Sequence, residues 1–398
     1  MGTAEGRSNR GPLLLLALAW LAALNGRAPQ LSLGPTLPLV IRDLGLPAAA
    51  AGLAVSLPLV LMGLLALPGG WLVDRNGPAW ALVAALAAVS VGGAARGFAS
   101  EPAAFLGATF LLGAGIASMQ PALPAVAKAA LPQRPALATA VYFNGLVLGV
   151  FAGTALVPLL LQLSGPFTWR GVFWAWGLYG FACTLMWAVY ARGAGLQKSG
   201  PLAPHPPRIV QAMRDSLRIP GFGTTVLAFG AQSALFYGFA AWLPTELVRH
   251  GWSVAHASGP TSLLAAGALA AGFGAPALVD LVGRRAVFVA AGVMCTLASA
   301  GVLVAPTQGA WAWAFLVGFG TTVAFGAALA VPAEVAPQDR VGRVAGALLT
   351  LGYLMSSLGP LPMGALVDLT GSTRPAWVYA TGVALVLTAA GAQTPASS

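Results

Sequence analysis

A chain of 398 residues that is 58% hydrophobic, 8% charged and has a mean hydropathy of +0.81 is solvated mainly by lipid; soluble globular chains carry about 25% charged residues. The net charge of +10 arises from 20 Lys and Arg against 10 Asp and Glu, scattered over short loops, which fits a membrane-orientation signal and excludes nucleic acid as partner. Cys183 and Cys295 stand alone in apolar segments without metal-ligand spacing; they read as packing residues, and neither metal nor cofactor is expected.

In chain order, a basic N-terminus leads into "PLLLLALAWLAAL". A secretory signal would be followed by a soluble mature domain; here further apolar segments follow, so this is read as the first span. Spans of about 20 apolar residues or more are predicted at 12–41, 48–72, 79–99, 103–129, 136–163 and 170–191. After a basic, proline-rich stretch they resume at 219–248, 256–280, 286–306, 309–336, 342–367 and 375–393. The runs are too long for strands and lack the alternation of a barrel, so the expected fold is all-α integral membrane with twelve transmembrane helices. Residues 1–191 form a first six-helix bundle, 192–218 a cytoplasmic linker and 219–398 a second bundle. Within the linker, "RIVQAMRDSLR" reads as a short amphipathic surface helix. Fourteen Lys and Arg fall in loops on the N-terminal side against four on the other, which places both termini in the cytoplasm of a multi-pass protein of the cytoplasmic membrane.

A shift of 206 residues superposes Leu37–Pro38 on Leu243–Pro244, Gly45 on Gly251, Asp74 on Asp280 and Gly77 on Gly283. It also superposes Arg134 on Arg340, Gly153 on Gly359 and Gly165 on Gly371. A constant offset across four helices and their loops implies two parallel repeats, one per bundle.

Span 1 contains Arg27 about 22 Å along the helix, followed by Pro29, Pro35 and Pro38, which imply a bent or broken helix. A cation at that depth costs about 3 kcal/mol and normally faces a protein cavity. The repeat mate of Arg27 is Ser233, so the cation belongs to one half only. All ten acids fall in loops or near span ends; an internal ion pair therefore has no obvious acid, and a bound anion becomes the favoured partner. Arg96 in span 3 either snorkels outward or lines the outer part of the same cavity. Other polar and aromatic residues near mid-depth are Asn25 and Gln30 in span 1, Gln120 in span 4, and Tyr142 and Asn144 in span 5. The second half offers Gln232, Tyr237 and Trp242 in span 7 and Tyr353 in span 11. Each is a candidate substrate contact; the alternative for each is a helix-bridging or interfacial role. Gly145, Gly149 and Gly153, four residues apart in span 5, suit close helix packing.

Between spans 2 and 3 the sequence "GGWLVDRNGPAW" sets out Gly70, Asp74, Arg75 and Gly77; its repeat mate "APALVDLVGRRA" has Asp280, Gly283, Arg284 and Arg285. This resembles the signature loop of the major facilitator superfamily, and the twelve spans, repeat and central loop extend the resemblance over nearly the whole chain. The first copy has Pro78–Ala79 where the family usually has two basic residues, and the second has Leu281 for the first arginine and Pro276 for the leading glycine. The charges of these loops are expected to act as a cytoplasmic gate, Arg75, Arg134 and Arg340 pairing with Asp74, Asp280, Glu334 or Asp339 when the inner side is closed; the alternative is ordinary solvated loop charge. Within that superfamily, "NGRAP", the Leu-Pro pair, Arg96 and "GAGIASMQPALPAVAK" look like the cyanate and 2-nitroimidazole transporter group, with one residue inserted before the first proline.

The expected function is secondary active or facilitative transport of a small anionic solute, cyanate-, nitrate- or carboxylate-like, by alternating access in a monomer. Efflux of neutral or lipophilic drugs on the same fold is the alternative; a membrane sensor without flux is a third. An enzyme is not expected, because His205, His250 and His256 form no cluster with acids or cysteines.

Overall fold

The computed structural model describes residues 10–193, 209–337 and 340–394; for short stretches within helices, including 66–72 and 74, it describes the backbone alone. The described residues are helical throughout, without strands. The first crossing is built from α1 (Arg10–Asn25), α2 (Ala28–Leu31) and α3 (Leu33–Leu44). Crossings two to six are α4 (Ala48–Asn76), α5 (Pro78–Phe98), α6 (Pro102–Ala130), the pair α7 (Pro135–Ala155) and α8 (Val157–Ser164), and α9 (Thr168–Gly193). A short α10 (Ile209–Leu217) falls within the stretch expected to form a surface helix and packs on the second half. The second half repeats the plan with α11 (Phe222–Arg249), α12 (Val254–Val282), α13 (Arg284–Val304), α14 (Ala310–Val335), the pair α15 (Val341–Ser356) and α16 (Pro360–Thr370), and α17 (Arg374–Ala392). Ten candidate spans, counting α15 with α16 as one, are long and apolar enough to cross a membrane; the broken first crossing and the 29-residue α12 complete the twelve.

The repeat is written into the backbone. Gly45 and Gly251 both adopt positive φ (58° and 89°), as do Gly77 and Gly283 (79° and 81°) and Gly165 and Gly371 (52° and 68°). Each pair is separated by the same 206 residues, and each ends a helix at a turn that a side chain would strain. Each half also ties the end of its first crossing to its sixth through an indole: Trp169 Nε1 donates to Asp43 at 2.8 Å, and Trp377 Nε1 to Glu246 at 3.0 Å. Cys183 and Cys295 are free and fully buried, as packing residues should be.

The first crossing breaks at Gly26–Arg27 and again at Ser32. Pro29 has no N–H for the Asn25 carbonyl and Pro35 none for Leu31, so the ladder is interrupted where the cation sits. Side chains satisfy part of what the break exposes: the Pro29 carbonyl accepts from Ser32 Oγ at 3.1 Å and from Arg96 at 2.5 Å. In the second half Pro360 breaks the eleventh crossing, and there Ser56 Oγ donates to the Ser357 carbonyl at 3.0 Å from the other half. Gly145, Gly149 and Gly153 lay α7 directly against the broken crossing; a Cβ on each would meet the carbonyl oxygens of Trp20, Leu24 and Ala28 respectively at 2.5 Å.

At the face opposite the chain ends, the two halves are closed on each other. The Asp368 carboxylate at the end of α16 accepts from the backbone N–H of Ala48 at 2.8 Å and of Ala49 at 2.7 Å, capping α4 of the other half. Pro47 provides no side-chain cap of its own, so the orphan N–H groups and the positive helix end are met from across the seam. Below this cap, Gly364 abuts the Ala48 carbonyl, Gly52 the Pro360 carbonyl and Gly34 the Ala240 carbonyl.

Candidate functional site

A cavity of about 320 Å³ lies between the halves, lined from α6 and α7 on one side and α11, α12, α14 and α15 on the other, with the break of the first crossing contributing Gly26 and Arg27. Its lining residues sit at mid-depth or nearer the face that bears the chain ends; none comes from the sealed half. The roof is Arg27. Its Nη1 donates to Tyr237 Oη across the interface at 3.1 Å and to Gln30 Oε1 at 3.1 Å, and rests 3.8 Å from Met62 Sδ. Tyr353 approaches the same guanidinium from α15. Among the described residues no carboxylate contacts Arg27, and it is the one charged side chain in the cavity wall.

Of the residues singled out from sequence, Arg27, Gln120, Tyr142, Gln232, Tyr237 and Tyr353 converge on this cavity. Gln120 lines the cavity, and its Nε2 is buried without a hydrogen-bond partner. Gln232 Nε2 is taken by Ser233 Oγ at 2.5 Å. Ser233 also lines the cavity, so the repeat mates Arg27 and Ser233 meet at one site with unlike chemistry.

The remaining candidates are placed elsewhere. Asn25 turns toward α9, where its amide is close to Gly180. Gln30 is buried behind Arg27 and holds it without reaching the cavity wall. Asn144 accepts from Trp20 Nε1 at 2.9 Å, and Trp242 Nε1 donates to the Pro360 carbonyl at 3.0 Å, filling the break in the eleventh crossing. Arg96 neither snorkels nor lines the cavity: it is 1% exposed, held by the Pro29 carbonyl and stacked 4.2 Å over Phe173. It is a positioning residue for the break. Arg96→Met is expected to cost about 1.5–3 kcal/mol, the scale of a charged hydrogen bond. A lowered Tm with ligand affinity altered less than by changes at Arg27 would bear this out.

Thr321, Thr322, Phe143, Phe236 and Phe325 line the cavity without having been singled out. In an apolar helix, Ser and Thr usually spend their hydroxyls on the preceding turn, as Thr321 does on Val317 at 2.6 Å, and phenylalanines facing a cavity read like those facing lipid.

Gly70 and Asp74 lie in α4, and their side-chain surroundings fall outside the described residues, as does Asp339. Arg75, Arg134, Asp280, Arg285 and Arg340 are exposed at the face bearing the chain ends, where Gly77 and Gly283 make the turns. Glu334 pairs with Arg284, inside the second half, in place of the expected arginines. Arg284 is 1% exposed, so Glu334→Gln, which keeps an acceptor and removes the compensating charge, is expected to lower Tm by about 1.5–3 kcal/mol. Adding Arg284→Met to that variant should recover most of the loss, because no buried guanidinium is then left without its anion, and the amide at position 334 is exposed enough for water to satisfy it.

The Major Facilitator Superfamily profile matches residues 15–360, and the chain belongs to that superfamily: it is a multi-pass membrane transporter. It is 27% identical to the cyanate transport protein CynX of Escherichia coli K12 over 92% of this chain and 93% of that protein. It is likewise 27% identical to the 2-nitroimidazole transporter of the same organism, over 92% and 91%. A probable nitrate/nitrite transporter, NarK2, of Mycobacterium tuberculosis is 25% identical over 90% of each chain. Among solved structures, the nucleoside transporter NupG matches with a TM-score of 0.78 at 13% identity, over 95% of this chain and 98% of that one. A bacterial homologue of the human lysosomal transporter Spinster matches with a TM-score of 0.76 at 18% identity, over 97% and 95%.

Proposed function

We propose that this chain carries a small anionic solute, cyanate-, nitrate- or carboxylate-like, across the cytoplasmic membrane by alternating access, as a secondary active or facilitative transporter. The observation that carries the reading is Arg27, a cation at the roof of an interdomain cavity, contacted among the described residues by neutral groups alone. Such a cation is partly desolvated and holds N–H donors that an anion can complete. Tyr237, Tyr353 and Gln120 add neutral donors around it. The names of the curated relatives, with cyanate and nitrate/nitrite among their solutes, point the same way.

The two bundles, residues 1–191 and 219–398, rock about this site, with both termini in the cytoplasm as the loop charge bias indicates. The conformation described then has its cavity toward the cytoplasm and its periplasmic side shut. The Asp368 cap and the glycine contacts hold that seam, and the loops at Gly77 and Gly283 form the opposing cytoplasmic gate with Asp74, Arg75 and Arg134. The test is uptake into proteoliposomes of nitrate, cyanate and acetate beside their neutral counterparts urea and acetamide. The reading predicts flux of at least one anion and none of the neutral solutes; equal flux of both kinds, or of neither, would overturn it.

A further inference from the structure

Resting on the anion reading, we infer that the preferred substrate is an amphipathic monovalent organic acid, with an aliphatic or aromatic body of about six to twelve non-hydrogen atoms. A bare inorganic anion fits the charge of the site and leaves the rest of it empty. The cavity holds about 320 Å³; a water molecule occupies about 30 Å³, and a three- or four-atom anion displaces one or two of them. What remains is walled mostly by hydrocarbon, interrupted by the Ser233, Thr321 and Thr322 hydroxyls and the Gln232 amide. Below the roof the lining is Leu123 from α6, Phe143 and Leu146 from α7, Phe325 and Leu329 from α14, and Leu349 from α15.

Polarity is graded along the cavity. Arg27, Tyr237, Tyr353 and the unpartnered Gln120 amide gather near mid-depth, where a carboxylate would sit. Toward the face bearing the chain ends, the walls become mostly aliphatic and aromatic, with the Tyr142 hydroxyl among them. One cation without a second basic group in the lining favours a single negative charge, since a second carboxylate would face hydrocarbon uncompensated. Water against the apolar wall is displaced favourably by an apolar body, and each methylene buried there tightens binding about fourfold.

The test is a binding series on the purified full-length protein in nanodiscs, read by isothermal calorimetry with empty nanodiscs subtracted. Probes are nitrate, cyanate, acetate, butanoate, hexanoate, benzoate and the neutral benzamide, on the wild type and on Arg27→Gln. Expected is a gain of about fourfold per methylene from acetate to hexanoate, benzoate binding at least tenfold tighter than nitrate or cyanate, and benzamide at least tenfold weaker than benzoate. Phe325→Ala should flatten the chain-length slope; should that variant not fold, the wild-type series decides alone. If nitrate and cyanate bind as tightly as hexanoate and benzoate, and all are lost in Arg27→Gln, the inference fails while the anion site stands. If benzamide matches benzoate and both survive Arg27→Gln, the anion site itself fails, and this inference with it.

Discussion

Arg27→Gln is expected to abolish anion binding while raising the thermal stability of the anion-free protein. These opposite signs follow from one circumstance. Among the described residues Arg27 is contacted by Tyr237, Gln30 and Met62, all uncharged, so its desolvation is offset there by neutral hydrogen bonds. A cation near the middle of a bilayer-spanning helix costs about 3 kcal/mol on insertion scales, and a neutral amide of shorter reach removes most of that penalty. We expect a gain of about 1 kcal/mol or more in the apo protein, read as a rise in Tm. Binding goes the other way: truncating one member of a buried charge pair costs about 2–5 kcal/mol, or roughly thirtyfold to several thousandfold in Kd. Arg27→Lys keeps the charge and loses the planar fork, so its affinity should fall between the two. Were Arg27 a structural strut, Arg27→Gln would lower Tm, and anion addition would stabilise wild type and variant alike.

The second large effect is expected at the seam that shuts the cavity on the side away from the chain ends. Gly364 lies against the Ala48 carbonyl of the other half, and a side chain there collides with backbone. Gly364→Leu should therefore penalise the closed seam, with the Trp242 ring of its own half, 2.9 Å from an added Cβ, shifting to make room. Overpacking of this kind costs about 1–3 kcal/mol, which shifts a two-state balance by about 5- to 150-fold toward the arrangement with this seam open. Ser56 provides the reporter. It is fully buried, bonded across the seam to the Ser357 carbonyl, and close in shape to cysteine. In Ser56→Cys, labelling by a membrane-impermeant thiol reagent should be slow, and adding Gly364→Leu should accelerate it by that factor. The native Cys183 and Cys295 are fully buried and serve as background. Unchanged labelling would mean that the seam is not the moving contact. Asp368→Asn, which weakens the cap on Ala48 and Ala49, should move labelling in the same direction by a smaller amount.

What the sequence made legible was whatever apolar context makes conspicuous. Arg27 and its prolines stood out because a cation and missing N–H groups are costly in lipid, and the helix does break there. The repeat was legible through glycines whose positive φ tolerates no substitute, and the three pairs indeed share it. What was not legible was the rotation of each helix about its axis, because spans apolar all round carry no amphipathic signal. Part of this was recoverable from helix geometry alone. Asn144 is two residues from Tyr142, about 200° around the helix, so both cannot face one cavity. Asn144 in fact bonds Trp20. The cavity-lining sets instead recur every fourth residue: Tyr142, Leu146 and Val150; Ser233 and Tyr237; Thr321, Phe325 and Leu329; Leu349 and Tyr353. Arg96 misled for a different reason. A buried arginine without an acid looks like a ligand contact, and only the three-dimensional arrangement reveals that the break in the first crossing supplies its carbonyl partner.

Flux decides whether Arg27 is the cation that a transported anion meets. Wild type and Arg27→Gln are reconstituted at equal density and orientation, and uptake of the best-bound anion from the probe series is followed in both. Expected is saturable uptake by the wild type and uptake by Arg27→Gln no faster than in protein-free vesicles. Uptake by Arg27→Gln at the wild-type rate would contradict it.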